Sequence, residues 1–365
     1  MLKKLVCLLL AALMLLSLVA CAKDAEEPAS TDDQTTTDTN TTDTTDETEE
    51  TEDTDETAEP AGDITIGYAC STMAHEWYAN IANGAARRAE DRGVTLDIAD
   101  AAMDSSKQVS YIENFVTQGV DALIVTPVDP AALNAATMQA KEAGIPMVAE
   151  SSKFDGMDTF VGITDFDAAY GIGVWMGENA TEDLKILIIG QPIYEACRLR
   201  VDGFKAGLDS TGVTYEVVQE VDGNGTKEDS LAVATDALTA HPEVNVIFGI
   251  NDNSSTGGMN AYIEQGLDQS KLTVLGFGFE GVVGREALLG DTPYKAAVAM
   301  FPEYVGAKIV DAAIDAANGE AQEEYMIPTV VITKENFDQF YTQDEEGNYL
   351  TNFDAIDQLL AEQSK

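Results

Sequence analysis

From residue 63 onward, short runs of β-rich apolar residues alternate with longer stretches in which apolar positions return every three or four residues. The pattern predicts strands over 64–69, 94–98, 122–126 and 146–150, with helices over 75–92, 106–118 and 130–143. A second set predicts strands over 184–189, 214–221, 244–250 and 273–277, with helices over 195–210, 227–240 and 254–265. Gly93, Gly119 and Gly144 each follow a predicted helix, where a left-handed cap favours glycine. Pro130 opens one, where its missing N–H costs least. Strand, helix and strand in series imply parallel sheets covered on both faces, and right-handed crossovers make each set a doubly wound unit. The predicted fold class is therefore α/β, with two doubly wound, Rossmann-like parallel-sheet lobes. Ligands of such sheets bind beyond the carboxyl ends of the strands, so two facing lobes share one cleft.

The first 62 residues follow another pattern. Lys3 and Lys4 precede an apolar run from Leu5 to Ala20, which is the layout of an export signal. Leu18-Val19-Ala20-Cys21 resembles the bacterial lipobox, which implies a signal peptide over 1–20, cleavage before Cys21 and lipid on its sulfur. The same run, left uncleaved, is about long enough to cross a bilayer. Residues 24–62 hold sixteen Asp and Glu and no Lys or Arg, with almost no large apolar side chain. Such a segment cannot bury enough surface to offset its ordering entropy, so 21–62 reads as a lipidated cysteine followed by a disordered, acidic, Thr-rich tether. An acidic run can also serve as an interaction tail.

Composition narrows the function classes. A net charge of −45 argues against nucleic acid as a partner. No second long apolar run follows Cys21, which leaves about 300 residues for two cores outside the membrane. With Cys7 in the signal and Cys21 assigned to lipid, Cys70 and Cys197 remain and are expected to be free thiols. His75 and His241 lie in no cluster with metal-ligand spacing, and neither metal nor cofactor is expected. No G-x-S-x-G elbow, P-loop or H-E-x-x-H occurs, so an envelope enzyme is disfavoured.

The segments IGYACSTMAHEWYANIANGA, QGVDALIVTPVDPAAL, AGIPMV, CRLRVDGF, TAHPEVNVIFGIND and VLGFGFEG resemble, in order and spacing, the type I periplasmic sugar-binding proteins of ABC importers. The likeness runs from about residue 63 to about 333. It implies that Trp77 and Tyr78 are the family's paired stacking aromatics, and that Ser71 and His75 contact ligand hydroxyls. Flat rings suit the apolar faces of a sugar, although both aromatics also fit the buried face of an amphipathic helix. Arg200 falls on the family's ligand arginine, a five-donor fork suited to adjacent hydroxyls; Arg198 has no such match. Asn251 falls on the family asparagine at a strand end.

Departures from the family pattern point to a ligand other than ribose. Ser151 and Ser152 occupy the positions of an Asp-Arg pair, with Glu150 one step earlier; Gly278 replaces an aspartate, with Glu280 two residues on; and Met300 replaces a glutamine. Phe279 and Phe301 would make the pocket more apolar than the family average. The resemblance also implies three hinge crossings, giving an N-terminal lobe over 63–165 and 301–328, a C-terminal lobe over 166–300 and 329–334, and an extension over 335–365. The expected protein is a monomeric, lipid-anchored receptor on the outer face of the cytoplasmic membrane. It would bind a sugar or polyol and present it to an ABC transporter permease, or report it to a membrane kinase or chemoreceptor.

Overall fold

The computed structural model describes residues 63–344 and 346–363. The signal, the Cys21 lipid site and the tether lie outside the described residues. Among the described residues, no helix is long and apolar enough to cross a membrane.

The first sheet is built from β1 (Thr65–Cys70), β2 (Thr95–Asp100), β3 (Ala122–Val125), β4 (Met147–Glu150), β5 (Thr159–Gly162) and a late strand, β11 (Glu324–Met326). Its order is β11-β5-β4-β3-β1-β2, parallel throughout. Helices α1 (Glu76–Arg92), α2 (Ser105–Gln118), α3 (Asn134–Glu142) and α9 (Pro302–Asn318) pack on it. The second sheet uses β6 (Leu184–Gly190), β7 (Tyr215–Asp222), β8 (Val246–Gly249), β9 (Thr273–Gly278), β10 (Tyr294–Ala299) and β12 (Val330–Ile332). Its order, β12-β10-β9-β8-β6-β7, repeats the first, and β12 alone runs antiparallel. Around it lie α4 (Asp165–Glu178), α5 (Glu195–Thr211), α6 (Lys227–Ala240), α7 (Asp252–Glu264) and α8 (Val282–Leu289). In each sheet the strand order reverses beside the first strand, which places a binding crevice at the ends of β1 and β3 and of β6 and β8.

The chain passes between the sheets at 163–164, at 300–301 and at 327–329. Helices beside these crossings approach closely through glycine. A Cβ on Gly306 of α9 would sit 2.1 Å from the Ile81 carbonyl oxygen, and one on Gly207 of α5 would sit 2.2 Å from that of Tyr170. Without side chains there, α1 lies against α9 and α4 against α5, and each sheet carries a tightly joined helix pair at the hinge side.

Beyond β12 the chain forms α10 (Phe337–Phe340), a hairpin of β13 (Tyr341–Gln343) and β14 (Tyr349–Thr351), and α11 (Phe353–Gln363). This extension changes the expected place of two aromatics. Phe279 and Phe301 do not line the pocket: Phe279 packs on Phe337 and Tyr341, and Phe301 on Phe340 and Tyr341, all buried. Both phenylalanines have left-handed backbones, φ 49° and 53°, at the ends of β9 and β10. Such a turn reverses the alternation that an extended strand would continue.

Candidate functional site

The end of β1 is shaped by an amide that the strand pattern does not reveal. Buried Gln108 of α2 donates through Nε2 to Ala69 O (3.1 Å) and Thr126 O (2.7 Å), and its Oε1 accepts the Val128 N–H (2.8 Å). The ends of β1 and β3 are thereby held together. Ser71 follows, its buried Oγ outside good hydrogen-bond geometry but close enough to the Tyr78 hydroxyl to work toward lowering that phenol's pKa. His75 is the N-cap of α1, and its Nδ1 accepts the Trp77 N–H at 3.2 Å. In the neutral ring this fixes the proton on Nε2, which becomes a donor. Burial, together with the Arg200 charge, holds His75 below its ordinary pKa.

Trp77, on the first turn of α1, packs partly buried against the apolar core of the second lobe, which contains Cys197, Phe277 and Met300. Tyr78 lies beside His75, ring centroids 5.9 Å apart. Its phenol is raised above its usual range, first by burial and then by the Glu150 and Glu280 carboxylates.

Glu150 ends β4 and is 1% exposed; it accepts from Thr126 Oγ1 at 2.7 Å, and burial pushes it up to about 7. Ser151, next to it, is exposed and left-handed (φ 67°), and stands apart from the buried group.

On the second lobe, Arg200 is tied on three sides. Its Nε donates to Asp165 Oδ1 (2.7 Å) and its Nη1 to Ile250 O (2.9 Å), while Nη2 lies 3.9 Å from the sulfur of buried Met300. The guanidinium also stacks 4.3 Å from the Phe277 ring centroid. Burial is the largest influence and opposes its charge, but Asp165, Cys197 and Glu280 together outweigh it and raise its pKa. A guanidinium has five N–H groups, so the fork retains donors for a ligand. Arg198 instead donates to Pro192 O (2.6 Å), away from this cluster.

Glu280 is 7% exposed. Burial first, and the Asp252 carboxylate second, push it up to about 8, although Arg200 works the other way. Its backbone N–H donates to Asp252 Oδ2 (3.0 Å), and Asp252 also accepts from Tyr294 OH (2.6 Å). Asn251, the N-cap of α7, spends both halves of its amide on backbone, accepting from Ser254 N (2.8 Å) and donating to Gly225 O (3.0 Å). Its buried amide holds β8, α7 and the 223–226 loop in register.

The lobes touch through α1. Asn80 Nδ2 donates to Glu280 O (2.6 Å), and the Val282 N–H donates to Glu76 Oε1 (3.2 Å), so a first-lobe carboxylate satisfies the N-terminus of α8. Ser71, His75, Trp77, Tyr78 and Glu150 thus converge from one side on Arg200, Glu280 and Met300 from the other. Cys70 and Cys197 are free and buried, and burial raises the pKa of both. Among the described residues, no cluster of His, Cys, Asp and Glu could hold a metal ion.

Two doubly wound α/β lobes joined by three chain crossings, with buried polar groups gathered where the lobes meet, are the architecture of a two-lobed solute receptor. The profile of the family described as "Periplasmic binding protein domain" matches residues 66–321, and the chain belongs to that family. Its members are substrate-binding proteins of transporters, not enzymes. The chain is 29% identical over 261 residues to the ribose import binding protein of Bacillus subtilis (strain 168), covering 71% of this chain and 83% of that one. It is also 29% identical over 261 residues to a putative rhizopine-binding protein of Rhizobium meliloti, covering 68% and 82%. Among solved structures, an ABC transporter periplasmic solute-binding protein from Actinobacillus succinogenes with bound D-allose superposes with a TM-score of 0.68 at 25% identity, covering 75% of this chain and 98% of that one. An ABC transporter solute-binding protein from Bacillus halodurans with bound myo-inositol gives 0.65 at 25%, covering 76% and 96%.

Proposed function

We propose that this chain is a lipid-anchored, extracytoplasmic solute-binding protein that closes its lobes on a small sugar or polyol and delivers it to an ABC transporter permease. Cys21 carries the lipid, and the acidic segment to residue 62 sets the receptor off from the membrane. The lobes are about 63–164 with 301–328 and 165–300 with 329–334.

The observation that supports this reading best is the meeting of Trp77 and Arg200 around one core: the indole packs on the apolar set that holds Phe277 and Met300, and the guanidinium touches both. A ring for the C–H face of a solute and a fork for its hydroxyls are then supplied from opposing lobes. The sugar and polyol ligands in the relatives' names agree with that chemistry.

The test is a thermal-shift panel of pentoses, hexoses and cyclitols. A binding solute raises Tm in proportion to RT ln(1 + [L]/Kd), and silence across the panel contradicts the reading. Metabolic labelling with radioactive palmitate tests the anchor: label enters the wild type and not Cys21→Ala, and equal entry into both removes the Cys21 lipid.

A further inference from the structure

We propose that the C-terminal extension is a strap across the hinge: its α10–β13 end is fixed to the second lobe, its α11 end is docked on the first, and the lobes separate only when α11 leaves α9. This rests on the receptor reading above, in which the lobes close on a solute, and names what restrains them. The family match ends at residue 321, so the strap lies outside the part of the chain that the match covers.

Each end has its own attachments. On the second lobe, Phe337 and Tyr341 pack on Phe279 at the end of β9, with ring centroids 6.1 and 5.5 Å apart. Arg285 of α8 places its guanidinium 5.7 Å from the Tyr341 ring centroid and donates to Tyr349 O at 3.4 Å. Its Nε donates to Gly281 O (2.9 Å), which joins the strap to the turn that α1 touches. On the first lobe, Phe353 meets Tyr304 of α9 edge-on, and Asp357 accepts from Tyr304 OH and from Lys308 Nζ (3.3 Å). Two of the three crossings are covered as well: Phe340 and Tyr341 pack on Phe301, and Gln363 Nε2 donates to Thr329 O at 2.9 Å.

The chain between the two ends has no slack. Tyr349 is held by Arg285 of the second lobe, and Thr351, two residues on, donates to Glu303 of the first at 3.1 Å. Both belong to β14, which is already extended, and two residues of extended chain span about 7 Å at most. Separation along this edge must therefore break one attachment. The two ends differ in how firmly they hold. Phe337, Phe340 and Tyr341 are all buried, whereas α11 buries only Ala355 and Ile356, and its Asp357 is 55% exposed. An exposed ion pair contributes little and a buried aromatic contact much more, so α11 is the end that gives way.

The test measures the distance between lobes in the mature receptor, 21–365, in a Cys21→Ala background. Spin labels go on Asn114→Cys of α2 and Asp236→Cys of α6, both exposed and on different lobes, while Cys70 and Cys197 are buried. Pulsed dipolar spectroscopy should give one narrow distance for this parent. Phe353→Ala with Asp357→Lys, which removes the ring contact and sets two cations against each other on α9, should add a longer-distance population. Where the double variant folds poorly, Asp357→Lys alone carries the test: it should shift the distribution the same way, and more strongly at low salt, where repulsion is least screened. A distribution unchanged in both variants would overturn the strap and leave the receptor standing, because the thermal-shift panel tests that separately on the wild type. Silence across that panel beside a lengthened distance would overturn the receptor and keep the restraint on the lobes.

Discussion

Arg200 Nε and Asp165 Oδ1 stand 2.7 Å apart, joining the middle of α5 to the first residue of α4, just past a hinge crossing. Both side chains are about 15% exposed or less, so the pair is largely out of water. The Arg200 fork is thus set by the chain that crosses between the two sheets. Truncating one member of a buried pair leaves the other charge uncompensated, at a cost of about 3–5 kcal/mol. Asp165→Ala should lower unfolding free energy on that scale in urea titration, and Arg200→Lys, which keeps charge but loses the fork, should weaken solute binding at least tenfold.

A second expectation concerns pH. Burial raises Glu150 to about 7, Glu280 to about 8 and Asp252 to about 6, all above unfolded values near 4. The folded state therefore holds more protons than the unfolded state between pH 4 and 8. Stability from these groups is fully present below about pH 4 and is lost as pH rises through 6 to 8. Unliganded protein should melt at a lower temperature at pH 8.5 than at pH 6, and Glu280→Gln should flatten that slope. An unchanged slope would mean that Glu280 is not buried as described.

The extension offers a third. Phe337 touches Phe279, Tyr341 and Tyr349, while Phe353 packs edge-on against Tyr304 of α9, ring centroids 5.2 Å apart. Thr351 Oγ1 donates to Glu303 of α9 (3.1 Å), and Arg285 of α8 donates to Tyr349 O (3.4 Å), so the segment fastens to both lobes. Phe337→Ala should cost about 3–5 kcal/mol by denaturant titration. Tyr341 has a buried hydroxyl without a partner, and Tyr341→Phe should hold stability or raise it by about 1 kcal/mol.

The two lobes meet where α1 contacts the 280–282 turn. A Cβ on Gly281 would sit 1.8 Å from Glu76 Oε1, so Gly281→Ala expels that carboxylate from the N-terminus of α8 and removes its tie between the lobes. Small-angle scattering should show a larger radius of gyration for Gly281→Ala than for the wild type. Asn80→Ala, which loses the 2.6 Å bond to Glu280 O, should move it the same way by less.

The two-sheet plan was legible because its punctuation is local. Gly93, Gly119 and Gly144 do take left-handed conformations, φ 67°, 72° and 74°, after their helices, and strand runs such as 122–126 and 184–189 are apolar on both faces. Helix α4 was not legible in that way. It carries Gly171, Gly173 and Gly177, which weaken helix propensity in isolation and make sense only against α5, where a Cβ on Gly173 would meet Phe204 O at 2.2 Å. The site divided along the same line. The family resemblance placed Trp77, Arg200 and Glu280 at the cleft, but which polar atoms remain free is a tertiary fact. Asn251 and His75 prove to cap helices, Asp165 to hold the arginine, and Gln108 and Asp252 to brace the cleft from behind. Phe279 and Phe301 turned outward because the extension gave them a core to join.

The opposed indole and guanidinium can be tested with one titration. The chain has two tryptophans, Trp77 and Trp175, so Trp175→Phe leaves the cleft residue as the only indole reporter. Adding the solute that raises Tm should give a saturable change in Trp77 emission, and Arg200→Ala in the same background should weaken its midpoint at least tenfold. Emission that stays flat at saturating solute, or a midpoint indifferent to Arg200, would contradict a ligand held between the two.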